Sequence, residues 1–78
     1  MFYAYILQLA SNEYYSGHSE NLKNRLIEHL EGRVQATKNF RPLKLVYYSA
    51  FQTKEKAIAF EKYLKSSSGK AFRNKRLL

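Results

Sequence analysis

The 78-residue chain contains no cysteine, no tryptophan and no aspartate, and it has only one proline and three glycines. The absence of cysteine excludes a disulfide scaffold, a thiolate metal site and a thiol nucleophile. A structural zinc site needs four ligands, and the two histidines cannot supply them alone. The six acidic side chains are all glutamates. Chemistry that depends on many carboxylates is therefore disfavoured.

Long hydrophobic runs are also missing. The first ten residues, MFYAYILQLA, are apolar, but they are too short to span a bilayer and lack a basic segment typical of a signal peptide. We interpret them as a strand, and we expect a cytoplasmic protein with no membrane partner. The chain is 45% hydrophobic and 15% aromatic, which predicts one folded domain over residues 1–78.

Charge is distributed unevenly along the chain. Residues 1–37 carry three basic and four acidic side chains, a net charge of −1, whereas residues 38–78 carry eleven and two, a net charge of +9. A cation polarised in this way suits a polyanion such as nucleic acid, because neutralising phosphates releases their counterions. The alternative is that surplus lysine only keeps a small domain soluble.

The hydrophobic pattern predicts three strands and two helices, in the order β-β-α-β-α. The predicted elements are a strand over 2–9, a strand over 14–17, a helix from an N-cap at Ser19 to Glu31, a strand over Leu43–Ala50, and a helix from an N-cap at Thr53 to Lys65. Gly32 stops the first helix, with Leu22, Leu26 and Leu30 as its buried stripe. Residues 33–42 form a loop, residues 66–69 end the second helix, and 70–76 form a short basic segment. We therefore predict an α+β fold, a three-stranded antiparallel sheet flanked by helices.

Glu61 lies on an apolar side of the second predicted helix, between Leu64 and Ile58 at 100° per residue. A carboxylate directed toward the sheet needs a cation, a hydrogen-bond donor or a metal ion, because burying it unpaired is costly. The ordinary interpretation is a buried salt bridge, with Arg25 as the expected partner. A metal ligand is the other interpretation.

Arg25 and His29 are four residues apart and so share one face of the first helix, at the border of its leucine stripe. An arginine beside an imidazole suits binding of a phosphate and stabilisation of its charge. The alternative is an arginine that extends to solvent and a histidine that fills a gap. Six of the seven tyrosines lie on predicted strands, mostly as core residues. A tyrosine could act in acid–base chemistry where a cation such as Arg25 lowers its pKa.

These residues together resemble the GIY-YIG nuclease family, specifically its small single-domain bacterial members. The resemblance covers residues 2 to 73 and rests on an ordered set: Tyr3-Ala4-Tyr5, Tyr15-Ser16-Gly17, Arg25 with His29, Thr37 with Pro42, and Glu61. Both tyrosine motifs are degenerate, with Ala4 and Ser16 at their middle positions. Leu30 stands where relatives often carry Asn, and Phe60 where many carry Arg.

The resemblance implies a metal-dependent endonuclease that hydrolyses phosphodiester bonds in DNA with low sequence specificity, linked to DNA repair or recombination. Glu61 would hold one Mg²⁺ or Mn²⁺ ion. The composition agrees, since a two-metal site usually needs several carboxylates. Tyr15 would deprotonate the attacking water and Tyr5 would orient it or share that task. Arg25 would stabilise the pentavalent phosphorus, and His29 would relay a proton or position Tyr5.

A basic surface would hold the nucleic-acid backbone, DNA rather than RNA, without reading bases. The residues expected there are Lys38, Arg41, Lys62, Lys65, Lys70 and Arg73. We expect a monomer or weak homodimer associated with the nucleoid. Two alternatives remain: a nucleic-acid-binding module that keeps the fold with weak or no catalysis, and a small basic protein that packs on ribosomal RNA. An inward Glu61 argues against the latter, because RNA packing gives no reason to bury a carboxylate.

Overall fold

A β-hairpin opens the fold. The computed structural model describes residues 1–77, with side chains through residue 75. Strands β1 (Phe2–Gln8) and β2 (Tyr14–Ser19) pair antiparallel. Asn12 occupies the turn with a φ of 68°, the left-handed conformation that asparagine tolerates well. The hairpin is as predicted, except that β1 ends one residue earlier and β2 runs two residues further.

Strand β3 (Lys44–Phe51) pairs with the other side of β1, so the sheet order is β2-β1-β3, all antiparallel. β3 therefore begins and ends one residue later than predicted. As the central strand, β1 is covered on both faces, and Ala4, Tyr5, Ile6 and Leu7 are each at most 1% exposed. The α+β class with a three-stranded antiparallel sheet is confirmed.

Helix α1 (Leu22–Leu30) begins later than predicted. Its N-cap is Asn21, whose side chain accepts a hydrogen bond from the Asn24 N–H at 3.1 Å. Ser19, the predicted cap, is still paired with Tyr3 at the end of β2, so its hydroxyl bonds to the Asn21 backbone instead. Gly32 ends the helix with a φ of +78°, as predicted.

The predicted leucine stripe of α1 is only partly correct. Leu22 and Leu26 pack beside Tyr5 and Leu7 on one face of the sheet, but Leu30 is 49% exposed. The buried position in the last turn belongs to His29, which is 0% exposed. A polar side chain thus occupies the core where a leucine was expected.

Helix α2 (Lys54–Lys65) covers the opposite face of the sheet and has the predicted bounds. The Thr53 hydroxyl caps it by accepting from the Lys56 N–H at 3.2 Å. Phe60 packs on Phe51 and Tyr47 of β3, with ring centroids 5.4 and 6.4 Å apart. The sheet is therefore sandwiched, with α1 on the Tyr5 face and α2 on the other.

The serine-rich run after α2 both ends that helix and begins another. The Ser66 hydroxyl donates to the Tyr63 carbonyl at 2.6 Å and accepts from the Gly69 N–H at 3.0 Å. Helix α3 (Ser67–Phe72) follows, and a π-helical turn (Arg73–Leu77) continues it. The predicted basic segment over 70–76 is thus helical, and its helix starts three residues earlier than that segment. Within residues 1–77, no helix is long and apolar enough to cross a membrane.

Candidate active site

A buried hydroxyl lies at the centre of the site. Tyr5 projects from β1 toward α1, and its Oη lies 2.9 Å from Nε2 of His29. Burial raises the pKa of Tyr5 to about 12, which outweighs the opposing effect of the nearby Arg25 guanidinium. Arg25 does lower the pKa of Tyr5, as expected, but burial raises it by more, so the net pKa is not lowered. The Tyr5 phenol keeps its proton at neutral pH.

His29 links Tyr5 to the loop after α1. Its Nδ1 lies 2.8 Å from Oγ1 of Thr37, and both residues are 0% exposed. Burial, with a further contribution from the positive charge of Arg25, lowers the pKa of His29 to about 4. The imidazole is therefore neutral at physiological pH, with one ring nitrogen donating and the other accepting. This chain of hydrogen bonds fixes the position of the Tyr5 hydroxyl.

The second tyrosine motif lies on β2 beside the first. Tyr15 is half-buried, and its ring is 5.3 Å from the imidazole of His29. Gly17 pairs directly with Tyr5 across the sheet. A Cβ at Gly17 would lie 2.5 Å from the Tyr5 Oη and 3.2 Å from Cε1 of Tyr15. Glycine is needed here because the two tyrosines leave no space for a side chain.

Arg25 supplies the cation of the site. Its guanidinium pairs with Glu28 at 3.0 Å on the same helix, and its side chain is 36% exposed. Although partial burial works against it, hydrogen bonding to Glu28 and Tyr5 raises the pKa of Arg25. Arg25 therefore stays charged beside the Tyr5 hydroxyl, with a surface open to solvent.

Glu61 on α2 points toward the sheet as predicted, with 14% of its side chain exposed, but its partners differ from the expected one. His18 Nδ1 contacts Oε1, and Lys65 Nζ lies 2.6 Å from Oε2. Burial opposes ionisation, yet the hydrogen bonds from Lys65 and His18 lower the pKa of Glu61. The predicted salt bridge with Arg25 is wrong, because Arg25 uses Glu28 on its own helix.

His18 is the residue that sequence reasoning missed. It pairs with Ala4 across the hairpin, so it lies on the α2 face of edge strand β2, opposite to the face of Tyr15 and Gly17. The alternation of side chains along a strand does predict that His18 lies on the face opposite to Tyr15 and Gly17. The contact itself depends on how α2 crosses the sheet, which the local pattern does not contain. Glu61 and Tyr5 therefore lie on opposite faces of the sheet, and the Glu61 charge makes only the smallest of the contributions that raise the pKa of Tyr5.

The profile of the GIY-YIG catalytic domain matches residues 1–76, almost the whole chain. The chain belongs to the GIY-YIG family. A UPF0213 protein of Pediococcus pentosaceus is 38% identical over 61 residues, covering 77% of this chain and 64% of the relative. A second, from Pediococcus acidilactici, is 33% identical over 72 residues, covering 88% and 74%. The GIY-YIG chain thus spans just under two thirds of the length of the first relative.

The fold of this GIY-YIG domain also has a solved counterpart. The solution NMR structure of a UPF0213 protein from Bacillus halodurans superposes with a TM-score of 0.59 at 29% identity, covering 96% of this chain and 84% of the other. GIY-YIG domains are nuclease domains. The match therefore agrees with the nuclease-type fold and the nucleic-acid partner expected from the sequence.

The side chains near Glu61 suit one hydrated metal ion. No group of three or more His, Cys, Asp or Glu side chains converges anywhere in the part of this GIY-YIG domain that the structure describes. Mg²⁺ keeps several of its waters and commonly binds through one or two carboxylates. The ionised Glu61 carboxylate, still in contact with solvent, fits that donor set, whereas a site built from many carboxylates does not fit.

The basic residues predicted to contact nucleic acid are all exposed except Arg73, which is half-buried, and three of the six also have partners within the domain. Lys38, Lys62 and Lys70 are exposed. Arg41 donates to the carbonyls of Lys38 and Leu30, at 3.1 and 3.4 Å, so it also holds the end of α1 in place. Lys65 and Arg73 also have partners within the domain.

Lys65 pairs with Glu61, as described above, and Arg73 is half-buried. The Arg73 guanidinium stacks 5.1 Å from the centroid of the Tyr14 ring, a cation–π contact. These two side chains therefore contribute to packing and pairing within the GIY-YIG domain as well as to its positive surface.

Proposed function

We propose that this GIY-YIG domain is a metal-dependent endonuclease that hydrolyses phosphodiester bonds in DNA. The observation that carries the proposal is the surrounding of the Tyr5 hydroxyl. A second tyrosine, a neutral imidazole and an arginine lie beside it, and the Glu61 carboxylate contacts His18 of β2, the edge strand that also carries Tyr15. An acid–base group, a phosphate-binding cation and a metal-binding carboxylate are what hydrolysis of a phosphodiester requires.

Glu61 would hold one Mg²⁺ or Mn²⁺ ion, and that ion would stabilise the negative charge of the leaving oxygen. Arg25 would bind the scissile phosphate, since its planar guanidinium suits phosphate oxygens and stays charged. Tyr15 would take the proton of the attacking water. These residues lie on three elements, β2, α1 and α2; the two helices cover opposite faces of the sheet, and both contact edge strand β2.

The pKa values of the buried pair support orienting roles for Tyr5 and His29. A phenol with a pKa of about 12 is a poor donor of its proton at neutral pH. An imidazole with a pKa of about 4 stays neutral there. Tyr5 would therefore orient the attacking water through hydrogen bonding, and His29 would position Tyr5.

The substrate would be held through its phosphates, without reading of bases. Eleven of the fourteen basic side chains lie in residues 38–78, and phosphate contacts carry no sequence information. We therefore propose low sequence specificity, DNA in preference to RNA, and a place in DNA repair or recombination. The acting species would be a monomer or weak homodimer.

A nucleic-acid-binding module without catalysis is the second candidate, and one observation favours it. Both oxygens of the Glu61 carboxylate already have protein partners, His18 and Lys65. A metal ion would have to displace at least one of them. If these pairs persist when DNA binds, the fold would serve binding alone.

Nicking of supercoiled plasmid tests the proposal. Wild-type protein, Glu61→Gln and Glu55→Gln are compared in Mg²⁺ and in EDTA. Glu55 is an exposed glutamate in the first turn of the same helix, so it controls for the loss of one charge. We expect open circles only with Mg²⁺, only from wild type and Glu55→Gln, and equal shifts of DNA on a gel by all three.

Cleavage by Glu61→Gln, or cleavage in EDTA, would contradict the metal assignment. No cleavage of plasmid, branched DNA, single-stranded DNA or RNA by a protein that still shifts DNA would support the binding module.

A further inference from the structure

The contact between His18 and Glu61 joins β2 to α2 beside the site. His18 lies on edge strand β2 and Glu61 on α2, and Nδ1 of the imidazole contacts Oε1 of the carboxylate. Lys65 holds the other oxygen, Oε2, at 2.6 Å. His18 is 39% exposed, so solvent and ions reach its ring. Neither the nucleic-acid surface nor the tyrosine–histidine chain uses this imidazole.

An imidazole nitrogen and a carboxylate oxygen in direct contact are close to the geometry of a metal-ligand pair. Ligand atoms about 2.1 Å from an octahedral ion lie about 3 Å apart at neighbouring positions. A small separation of the two side chains would admit an ion between them. Because Lys65 would still bond to Oε2, only Oε1 of Glu61 would coordinate the ion.

The identity of the donor atoms decides which ion such a site prefers. Mg²⁺ takes oxygen ligands almost exclusively, whereas first-row transition ions also bind imidazole nitrogen, with an affinity that is lowest for Mn²⁺ and rises toward Cu²⁺. With two protein ligands and no third His, Cys, Asp or Glu nearby among the described side chains, the other coordination positions would hold water or substrate.

We propose that His18 is a second protein ligand, with Glu61, for a divalent transition ion, so that the site prefers Mn²⁺ to Mg²⁺. The inference rests on the proposed function only in assigning the ion to Glu61. Lys65 opposes the ion by charge repulsion and keeps the affinity moderate.

Binding of Mn²⁺ without DNA tests this inference independently of activity. Free Mn²⁺ is measured by electron paramagnetic resonance during titration of wild type, His18→Gln, Glu61→Gln and Glu20→Gln, and Mg²⁺ affinity is measured by competition. Glu20 is an exposed carboxylate two residues after His18 and serves as the matched control. Far-ultraviolet circular dichroism and thermal melting check that each variant folds.

We expect His18→Gln to weaken Mn²⁺ binding by about tenfold or more and Mg²⁺ binding by less than about twofold. Glu61→Gln should weaken both, and Glu20→Gln neither. Electron-spin-echo envelope modulation of bound Mn²⁺ should detect a directly coordinated ¹⁴N in wild type that is lost in His18→Gln.

Three results would overturn the inference. If His18→Gln keeps its Mn²⁺ affinity while Glu61→Gln loses it, the metal of the proposed function stands and His18 is not a ligand. If nitrogen coupling persists in His18→Gln, another residue coordinates the ion. If Glu61→Gln also binds normally, both this inference and the metal assignment of the proposed function fail.

Discussion

Tyr5 and Tyr15 lie against the same imidazole, but they differ in their access to solvent. Tyr5 is 1% exposed and bonded to His29, whereas Tyr15 is half-buried on the edge strand. A general base must reach the proton that it removes, and losing one typically costs 10²–10⁴-fold in rate. This difference supports the proposal that Tyr15, the more accessible tyrosine, takes the proton of the attacking water.

We therefore expect Tyr15→Phe to lower single-turnover cleavage by roughly 10²-fold or more, with a stability close to that of wild type. Tyr5→Phe should retain more activity but lose about 1–3 kcal/mol of stability, because a buried imidazole nitrogen loses its partner. Quenched-flow cleavage and urea denaturation of the two variants give both quantities. A larger rate loss for Tyr5→Phe, measured where both variants are folded, would exchange the two roles.

His29 gives a second prediction at the scale of one residue. Burial lowers its pKa to about 4 from an ordinary 6.5, so between these values the unfolded chain binds a proton that the folded chain does not. The free energy of unfolding should therefore fall as the pH falls from 6.5 to 4, by at most about 1.4 kcal/mol per pH unit from one proton. Urea denaturation at several pH values measures this slope.

A His29→Gln variant should show a flatter pH dependence in that window, even though losing the buried hydrogen bonds lowers its stability overall. Glu61, whose pKa is lowered from an ordinary 4.5, loses its contribution to stability as the pH falls below 4.5, so its window overlaps only the lower end of that of His29. An NMR titration of the His29 ring in the wild-type protein gives the same test without a substitution. A ring that becomes protonated near pH 6.5 would contradict the prediction.

At the scale of the element, the packing of β2 against β1 depends on the absence of a side chain at Gly17. We expect Gly17→Ala to displace the Tyr5 ring, to cost about 1–3 kcal/mol in stability from overpacking, and to reduce cleavage more than that cost explains. Thr53→Ala is the matched control, since losing the α2 cap costs about 1 kcal/mol without touching either tyrosine.

Thermal melts and cleavage rates, measured well below both melting temperatures, separate the two effects. Thr53→Ala should cleave as wild type, whereas Gly17→Ala should not. Equal activity of the two variants would show that the Tyr5 hydroxyl tolerates displacement.

The elements also show where sequence reasoning succeeds. The strands, the bounds of α2 and the stop at Gly32 follow from local patterns, namely runs of aromatic and β-branched residues, a threonine cap and a glycine at the end of a helical stretch. The start of α1 does not, because Ser19 and Asn21 are both good caps and the choice depends on how far β2 stays paired with β1. In the site, an inward Glu61 was predictable from helical periodicity. Its partner was not, because His18 reaches it across 43 positions of sequence.

At the scale of the whole molecule, the excess charge of +9 in residues 38–78 is spread from the loop before β3, through β3, α2 and α3, to the π-helical turn at Arg73–Leu77. If DNA responded only to the net charge of the domain, the positions of the lysines would not matter. A defined binding surface instead requires lysines at particular positions. Lys62 and Lys70 are exposed members of the predicted surface, and Lys54 and Lys56 are exposed lysines at the other end of α2. At 1.5 Å per residue, Lys54 and Lys62 are about 12 Å apart along the helix, more than a Debye length at physiological salt.

The double variants Lys62→Gln/Lys70→Gln and Lys54→Gln/Lys56→Gln therefore remove the same charge from two separate places. Each phosphate contact contributes about 0.9 to the slope of log K against log salt concentration on duplex DNA. We expect the first variant to lose up to about 1.8 from that slope and to bind DNA more weakly at all salt concentrations, while the second keeps the wild-type slope. Fluorescence anisotropy with a labelled duplex measures both. Equal losses in the two variants would mean that DNA responds to the net charge of the domain rather than to a defined surface, and an unchanged slope in the first variant would assign the surface to other residues.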